Sequence, residues 1–199
     1  MKKLFYLVRH GEKIKQIGDP PLSENGIKQA ELTGKHFKSL GIEKILASPI
    51  RRSKETAKYI AKEVGISFEI SDLLKERTNW GDDPNQSFDD FLSMWKRASR
   101  ERSWQPPVGD SSKNSGKRME RVIESLLQSK FKNIVLVTHG GIICDYLKNV
   151  FQDMVLKKFT SDELIFDDAI GVCSITTIEV DLSMSEPKLI DFANSTHLL

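Results

Sequence analysis

The chain of 199 residues is poor in cysteine, with only Cys144 and Cys173, and carries just three tryptophans and three tyrosines. Two lone cysteines, each in a largely apolar stretch, make neither a disulfide framework nor a zinc pattern. They are expected to be small core residues, in keeping with a reducing cytosol. There is no His-x-His, no His-Glu-x-x-His and no cysteine pair, so the sequence suggests no metal site and calls for no cofactor. No apolar run approaches the roughly 20 residues needed to cross a bilayer. The opening Met1-Lys2-Lys3 followed by Leu4–Val8 mimics a signal peptide for a few residues. Its apolar run is too short, and no small-residue cleavage site follows, so a buried first strand is the expectation. Charge bias is also lacking: 30 basic against 28 acidic residues give a net charge of +2. The basic residues are scattered rather than gathered into a stripe, which argues against a nucleic-acid partner. A cytoplasmic protein without membrane or nucleic-acid partners is expected.

What is present is an alternation of strand and helix signals. Leu4–Val8 is wholly apolar, as in a strand covered on both faces. Asp19-Pro20-Pro21 marks a loop, Ser23 is an N-cap, and a helix is expected to run to Leu40 and stop at Gly41. Within it Ile27, Ala30, Gly34 and Phe37 share one face, whose small members suit close packing on a sheet. Lys44–Ala47 is a second strand, and Ser48-Pro49 turns into a helix ending near Val64-Gly65. Further strands are expected at Ser67–Ile70, Asn133–Thr138, Val172–Val180 and Lys188–Phe192. The fold class is therefore α/β, a doubly wound, mostly parallel sheet with helices on both faces.

Residues 77–108 stand apart, holding all three tryptophans: Trp80, Trp95 and Trp104. Loop residues surround one amphipathic helix in which Phe88, Phe91, Leu92 and Trp95 share a face. The segment is expected to be a small cap inserted into a single domain spanning 1–199. Its aromatics either pin it to the core or contact substrate.

Two strands end alike. The first closes on Arg9-His10-Gly11-Glu12, the fourth on Thr138-His139-Gly140-Gly141. Ligands of open parallel sheets bind beyond the carboxyl ends of strands, so both histidines are placed at the mouth if these strands are neighbours. A neutral imidazole is a competent nucleophile towards phosphorus. Arg9 offers a planar fork for two phosphate oxygens. The helix after Gly141 would aim N–H groups at an anion. Phosphoryl transfer mostly needs positioning and charge neutralisation, which imidazoles and guanidinium groups supply without a metal.

Leu7-Val8-Arg9-His10-Gly11-Glu12 resembles the signature of the histidine phosphatase superfamily, in the branch that includes the cofactor-dependent phosphoglycerate mutases. Further matches follow in order: Leu22-Ser23 with Gly26, Gln29 and Ala30; Ser48-Pro49-Ile50-Arg51-Arg52 with Thr56-Ala57; Leu74-Lys75-Glu76; Gly109-Asp110-Ser111 with Arg118; Val137-Thr138-His139-Gly140-Gly141; and Asn194-Ser195-Thr196-His197-Leu198. The resemblance implies that His10 is the nucleophile forming a phosphohistidine. Arg9, Arg52, His139 and the Gly140 N–H would hold the phosphoryl oxygens. Glu76 would protonate the leaving oxygen and then act as base on water.

Rivals exist for some assignments. Arg51 competes with Arg52, and the spacing to Thr56-Ala57 favours Arg52. Glu69, Asp72, Asp82 and Asp83 lie near Glu76. His36 is expected at the surface or boundary, and His197 in a structural hydrogen bond. The chain also departs from the mutase pattern: Lys13 stands where a small hydroxyl residue is usual, Gln16 where an asparagine is. The insertion after Glu76 is shorter. A mutase must shield its phosphoenzyme from water, whereas a phosphatase need only admit water. Hydrolysis of a phosphomonoester is the expectation, with a mutase-like phosphotransferase and a non-catalytic phospholigand-binding protein as alternatives. Lys13, Gln16 and Trp80 are candidate substrate contacts. The substrate class is a small phosphorylated metabolite, with a phosphoprotein as the alternative.

Overall fold

The computed structural model describes residues 2–158, 169–183 and 187–199. In chain order its elements are β1 (Lys2–Arg9), α1 (Glu24–Phe37), β2 (Lys44–Ala47), α2 (Arg51–Val64) and β3 (Glu69–Ile70). Then come α3 (Phe88–Arg100), α4 (Ser112–Leu127), β4 (Asn133–Thr138), α5 (Gly140–Val150) and α6 (Asp153–Leu156), followed by β5 (Ile175–Asp181) and β6 (Pro187–Asn194). Single 3-10 turns lie at Asp72–Leu74 and Thr196–Leu198.

The strands form one sheet in the order β3-β2-β4-β1-β5-β6. The first four of these pair in parallel, while β5 and β6 run antiparallel, so the α/β sheet is mixed with a mostly parallel centre. Alternate residues of β1 and β4 feed two separate cores. Phe5, Leu7, Ile134 and Leu136 pack with Met119 and Val122 of α4 and Ile142 and Ile143 of α5. Tyr6, Val8, Val135 and Val137 pack with Phe37 of α1 and Ala57, Ile60 and Ala61 of α2. Burial on both faces is why these strands read as unbroken apolar runs. Each aliphatic side chain so buried contributes about 1.5–3 kcal/mol.

The helix boundaries follow local chemistry. Ser23 accepts a hydrogen bond from the Gly26 N–H, and Ser111 from Asn114, satisfying orphan donors of their helices. Ile50, the N-cap of α2, has no capping side chain. Asp19 substitutes from the loop after β1, accepting from the Arg51 N–H at 2.8 and 3.1 Å. Gly65 closes α2 with φ of 82°. No helix among the described residues is long and apolar enough to cross a membrane.

Two expectations are corrected. Helix α1 ends at Phe37, not Leu40, because the chain tightens into turns before Gly41. The small residue Gly34 of α1 serves a helix partner rather than the sheet. A Cβ on Gly34 would lie 2.9 Å from the Glu63 side chain and 3.1 Å from the Tyr59 carbonyl oxygen, both on α2. Small residues favour close approach of any backbone, and the pattern alone does not say which.

Candidate active site

The register of the central strands creates the site. Arg9 of β1 lies opposite Thr138 of β4, and the His10 N–H donates to the Thr138 carbonyl at 2.9 Å. The next residue on each strand is a histidine, so parallel pairing sets the two imidazoles side by side. Their ring centroids are 5.2 Å apart, edge to face, and both rings are buried.

Hydrogen-bond partners fix the form of each ring. His10 Nδ1 lies 2.7 Å from the Gly11 carbonyl oxygen, which can only accept, so Nδ1 carries the proton. The Arg52 Nε–H donates to His10 Nε2 at 2.8 Å, so Nε2 presents its lone pair. His139 shows the opposite tautomer. An Arg52 N–H at 3.1 Å faces its Nδ1, leaving Nε2–H to donate to the Ser48 hydroxyl at 2.8 Å. Burial, reinforced by the charge on Arg52, holds both rings well below the usual histidine range. They are neutral at physiological pH.

Cationic groups surround them. Arg52, in the first turn of α2, is itself buried and held by the Asn79 side-chain oxygen at 2.8 Å. Arg9 donates to the Ile170 carbonyl and lies across Gly140, with its Nε lacking a hydrogen-bond partner among the described residues. Lys13 also reaches the site, and burial, followed by Arg52, lowers its proton affinity. Two neutral imidazoles among three cationic side chains form a site for an anion.

Glu76 follows the 3-10 turn beyond β3. Its carboxylate accepts from the backbone N–H groups of Arg77 at 2.9 Å and Gly141 at 3.0 Å. The second of these is the open N-terminal turn of α5, where donors have no partners within the helix. A side chain at Gly141 would force these groups to move: a Cβ would lie 2.6 Å from both the Glu76 carboxylate and the Trp95 ring.

These residues open onto a cavity of about 970 Å³. Arg9, His10, Lys13, Arg52, Glu76, Trp80 and Gly140 all line it, and one face of α3 forms a wall. His139 lies behind, fully buried. Gln16 is not among the described residues that line the cavity; it is exposed, and its carbonyl accepts from Lys13 at 3.3 Å. Of the rivals to Glu76, neither Asp82 nor Asp83 lines the cavity, and Asp82 instead accepts from the Asn79 N–H. Arg51 points outward to Glu55.

Several supporting residues were not singled out from the sequence. Ser48 holds the His139 ring through Nε2 and Asn79 holds Arg52. Arg118, noted only as part of a helix-start motif, donates to the carbonyls of Leu73 and Lys75 and braces the segment that carries Glu76. Arg77 is fully buried, paired with Asp145 at 3.0 Å, bonded to Ser112 and Ser99, and stacked 3.6 Å from the centre of the Trp95 ring. It thereby ties α3 to α4 and α5. The one usable sequence signal was Ser48 at a strand end before proline. A buried arginine is indistinguishable in sequence from an exposed one.

Comparison with known proteins agrees with this geometry. The family model of the histidine phosphatase superfamily (branch 1) matches residues 5–186. "Probable phosphoglycerate mutase GpmB" of Yersinia pestis (strain Pestoides F) is 32% identical over 148 residues, covering 68% of this chain and 68% of that protein. Among solved structures, a phosphoserine phosphatase variant from Entamoeba histolytica in complex with phosphoserine superposes with a TM-score of 0.73 at 25% identity. That match covers 99% of this chain and 100% of that one. The mycobacterial glucosyl-3-phosphoglycerate phosphatase gives a TM-score of 0.74 at 21% identity, covering 97% of this chain and 99% of that one, a likeness of fold. On the matched sequence span and the fold alike, this chain belongs to the histidine phosphatase superfamily.

Proposed function

We propose that the protein is a phosphatase that hydrolyses a small phosphomonoester through a phosphohistidine on His10, without a metal. The observation that carries this reading is the lone pair of His10 Nε2, held in place by Nδ1–H and flanked by Arg52 and the second imidazole. An incoming phosphoryl group would take the place of the Arg52–His10 contact. The guanidinium would then bond to phosphoryl oxygens, exchanging one neutral acceptor for charged ones. Arg9 and the Gly140 N–H would hold the remaining oxygens. His139 can join them if its proton moves to Nδ1, because the Ser48 hydroxyl can donate to Nε2 as readily as it accepts.

Nε2 attacks phosphorus, the ester oxygen leaves, and Glu76 delivers the proton that the leaving oxygen takes up. Glu76 then removes a proton from the water that attacks the phosphohistidine, releasing inorganic phosphate and restoring His10. In this reading residues 77–108 act as a cap, with Trp80 and Lys13 contacting the substrate. A substrate such as phosphoserine or 3-phosphoglycerate, ligands named for solved relatives, would belong to the class expected.

A mutase-like phosphotransferase would use the same residues, and the likeness to the GpmB protein favours keeping it in view. Phosphoenzyme lifetime separates the two, since a mutase intermediate persists until an acceptor arrives. The test of the main reading is hydrolysis of an aryl phosphate in excess chelator. Activity that survives chelation and disappears in His10→Ala supports it. Dependence on added divalent ion, or retention of activity in that variant, contradicts it.

A further inference from the structure

A cavity of about 970 Å³ far exceeds what a phosphoryl group on a three-carbon body would fill. Its wall also changes character along α3. Lining residues recur three and four apart along the helix, which makes one continuous stripe. The early turns contribute Phe88, Phe91 and Leu92, and the Trp80 ring packs edge-on against Phe88. Trp95 follows at the corner formed by Glu76 and Gly141. The last turn and a half contributes Lys96 and Arg100, both exposed.

A basic last turn is ordinary helix chemistry, since it complements the dipole. Arg97 fits that description: it turns outward, pairs with Glu101 at 3.0 Å and stacks on Trp104. Lys96 and Arg100 differ, because they face the cavity and neither has an ion-pair partner among the described residues. Lys148 of α5 and Lys157 just after α6 also line the cavity, as does the carboxylate of Asp153, so among its described lining basic residues outnumber acidic ones and come from three helices or their ends. The dipole of α3 does not account for that convergence.

We infer that the substrate carries a second anionic group besides the transferred phosphoryl group, and that Lys96 and Arg100 receive it. This rests on the phosphatase reading of His10 and names its substrate class. Phe88, Phe91 and Leu92 lie on the other side of Trp95 from Lys96 and Arg100, so the link between the two anions runs past the Trp95 ring. Trp95 and Arg100 are five residues apart, so the second anion sits about 7.5 Å further along the helix axis than the catalytic corner.

The test compares phenyl phosphates bearing a carboxylate on a para alkyl arm with the matched carboxamides. Each pair differs only in the remote charge. At low salt the wild type should favour the carboxylate in kcat/KM by about tenfold, two exposed charge contacts being involved, with the preference shrinking as salt is added. In the double variant Lys96→Ala/Arg100→Ala the ratio should fall towards one, and in Lys96→Glu it should invert. The conservative pair Lys96→Arg/Arg100→Lys should keep most of the preference. Equal turnover of both esters by the wild type, or a preference that survives the alanine substitutions, overturns the second-anion site while leaving the phosphatase reading intact. No turnover of either ester sinks that reading and this inference together.

Discussion

The side chain of Arg52 donates through Nε to the lone-pair nitrogen of His10, and through Nη2 it meets Asn79 and His139. One guanidinium thus organises both imidazoles and the loop beyond Glu76. Its charge also helps keep both rings neutral, second only to burial. The sign of a pH effect follows. In the proposed mechanism His10 must be neutral to attack, so kcat/KM should stay high below pH 6.5 and fall as His10 gains a proton. Arg52→Ala should lower kcat/KM by roughly 100-fold, the usual effect of losing one donor to developing charge. It should also move the acidic limb upward. Arg52→Lys, which keeps the charge, should leave that limb nearer the wild-type position. A pH profile of all three proteins checks this, and an alanine variant with an unmoved limb would contradict it.

The pair formed by Arg77 and Asp145 is buried, with side-chain exposures of 0% and 2%. Removing one partner leaves the other buried charge less compensated, so Arg77→Met should cost about 3–5 kcal/mol of stability. Replacing both, as Arg77→Met with Asp145→Leu, should recover much of that loss. Because Arg77 also anchors α3 through Ser99 and the Trp95 ring, the single variant should raise KM as well. Urea unfolding and steady-state kinetics measure both effects.

Gly141 admits the Glu76 carboxylate and the Trp95 ring to the same corner. Gly141→Ala should push them apart, at about 1–3 kcal/mol of overpacking. In the proposed mechanism the catalytic consequence falls on Glu76 as proton donor. Turnover of an alkyl phosphate, whose leaving oxygen needs a proton, should suffer more than that of p-nitrophenyl phosphate, whose leaving group does not. Equal losses on the two substrates would argue that Glu76 is not the acid.

His197 sits beside His36, with ring centroids 5.1 Å apart, and bonds to Thr33 of α1. Burial, then the charge of His36, lowers it to about 4. A histidine whose proton affinity falls on folding stabilises the protein fully above its unfolded pKa near 6.5. That contribution drains away as pH drops towards about 4. The slope from this one half-buried group should lie below about 1.4 kcal/mol per pH unit, because solvent screens it. Unfolding curves between pH 4 and 7 should be flatter for His197→Gln than for the wild type.

Much of the fold was legible because it rests on local chemistry. The apolar runs of β1 and β4, the Ser23 cap and the Gly65 stop each carry their cause within a few residues. The two histidines were legible because both end strands, and parallel neighbours deliver strand ends to one place. What escaped was set by distance along the chain. Asp19 caps a helix 32 residues away, Ser48 fixes a ring 91 residues away, and Arg77 finds its partner 68 residues on. Gln16 was expected at the site from its place after the signature. The loop instead turns it to solvent while Lys13 folds inward. Residue type and spacing predict which groups can do chemistry. Which of them the loops deliver depends on contacts that only the fold supplies.

The most direct test asks where the phosphoryl group goes. Glu76→Gln should still be phosphorylated by p-nitrophenyl phosphate, which needs no acid, but should release phosphate slowly for want of a base. Rapid quenching and peptide mapping of that variant should find acid-labile, base-stable phosphate on Nε2 of His10, with a burst of nitrophenol close to one per chain. Phosphate on His139, or slow turnover with neither a burst nor a labelled imidazole, would contradict nucleophilic catalysis by His10.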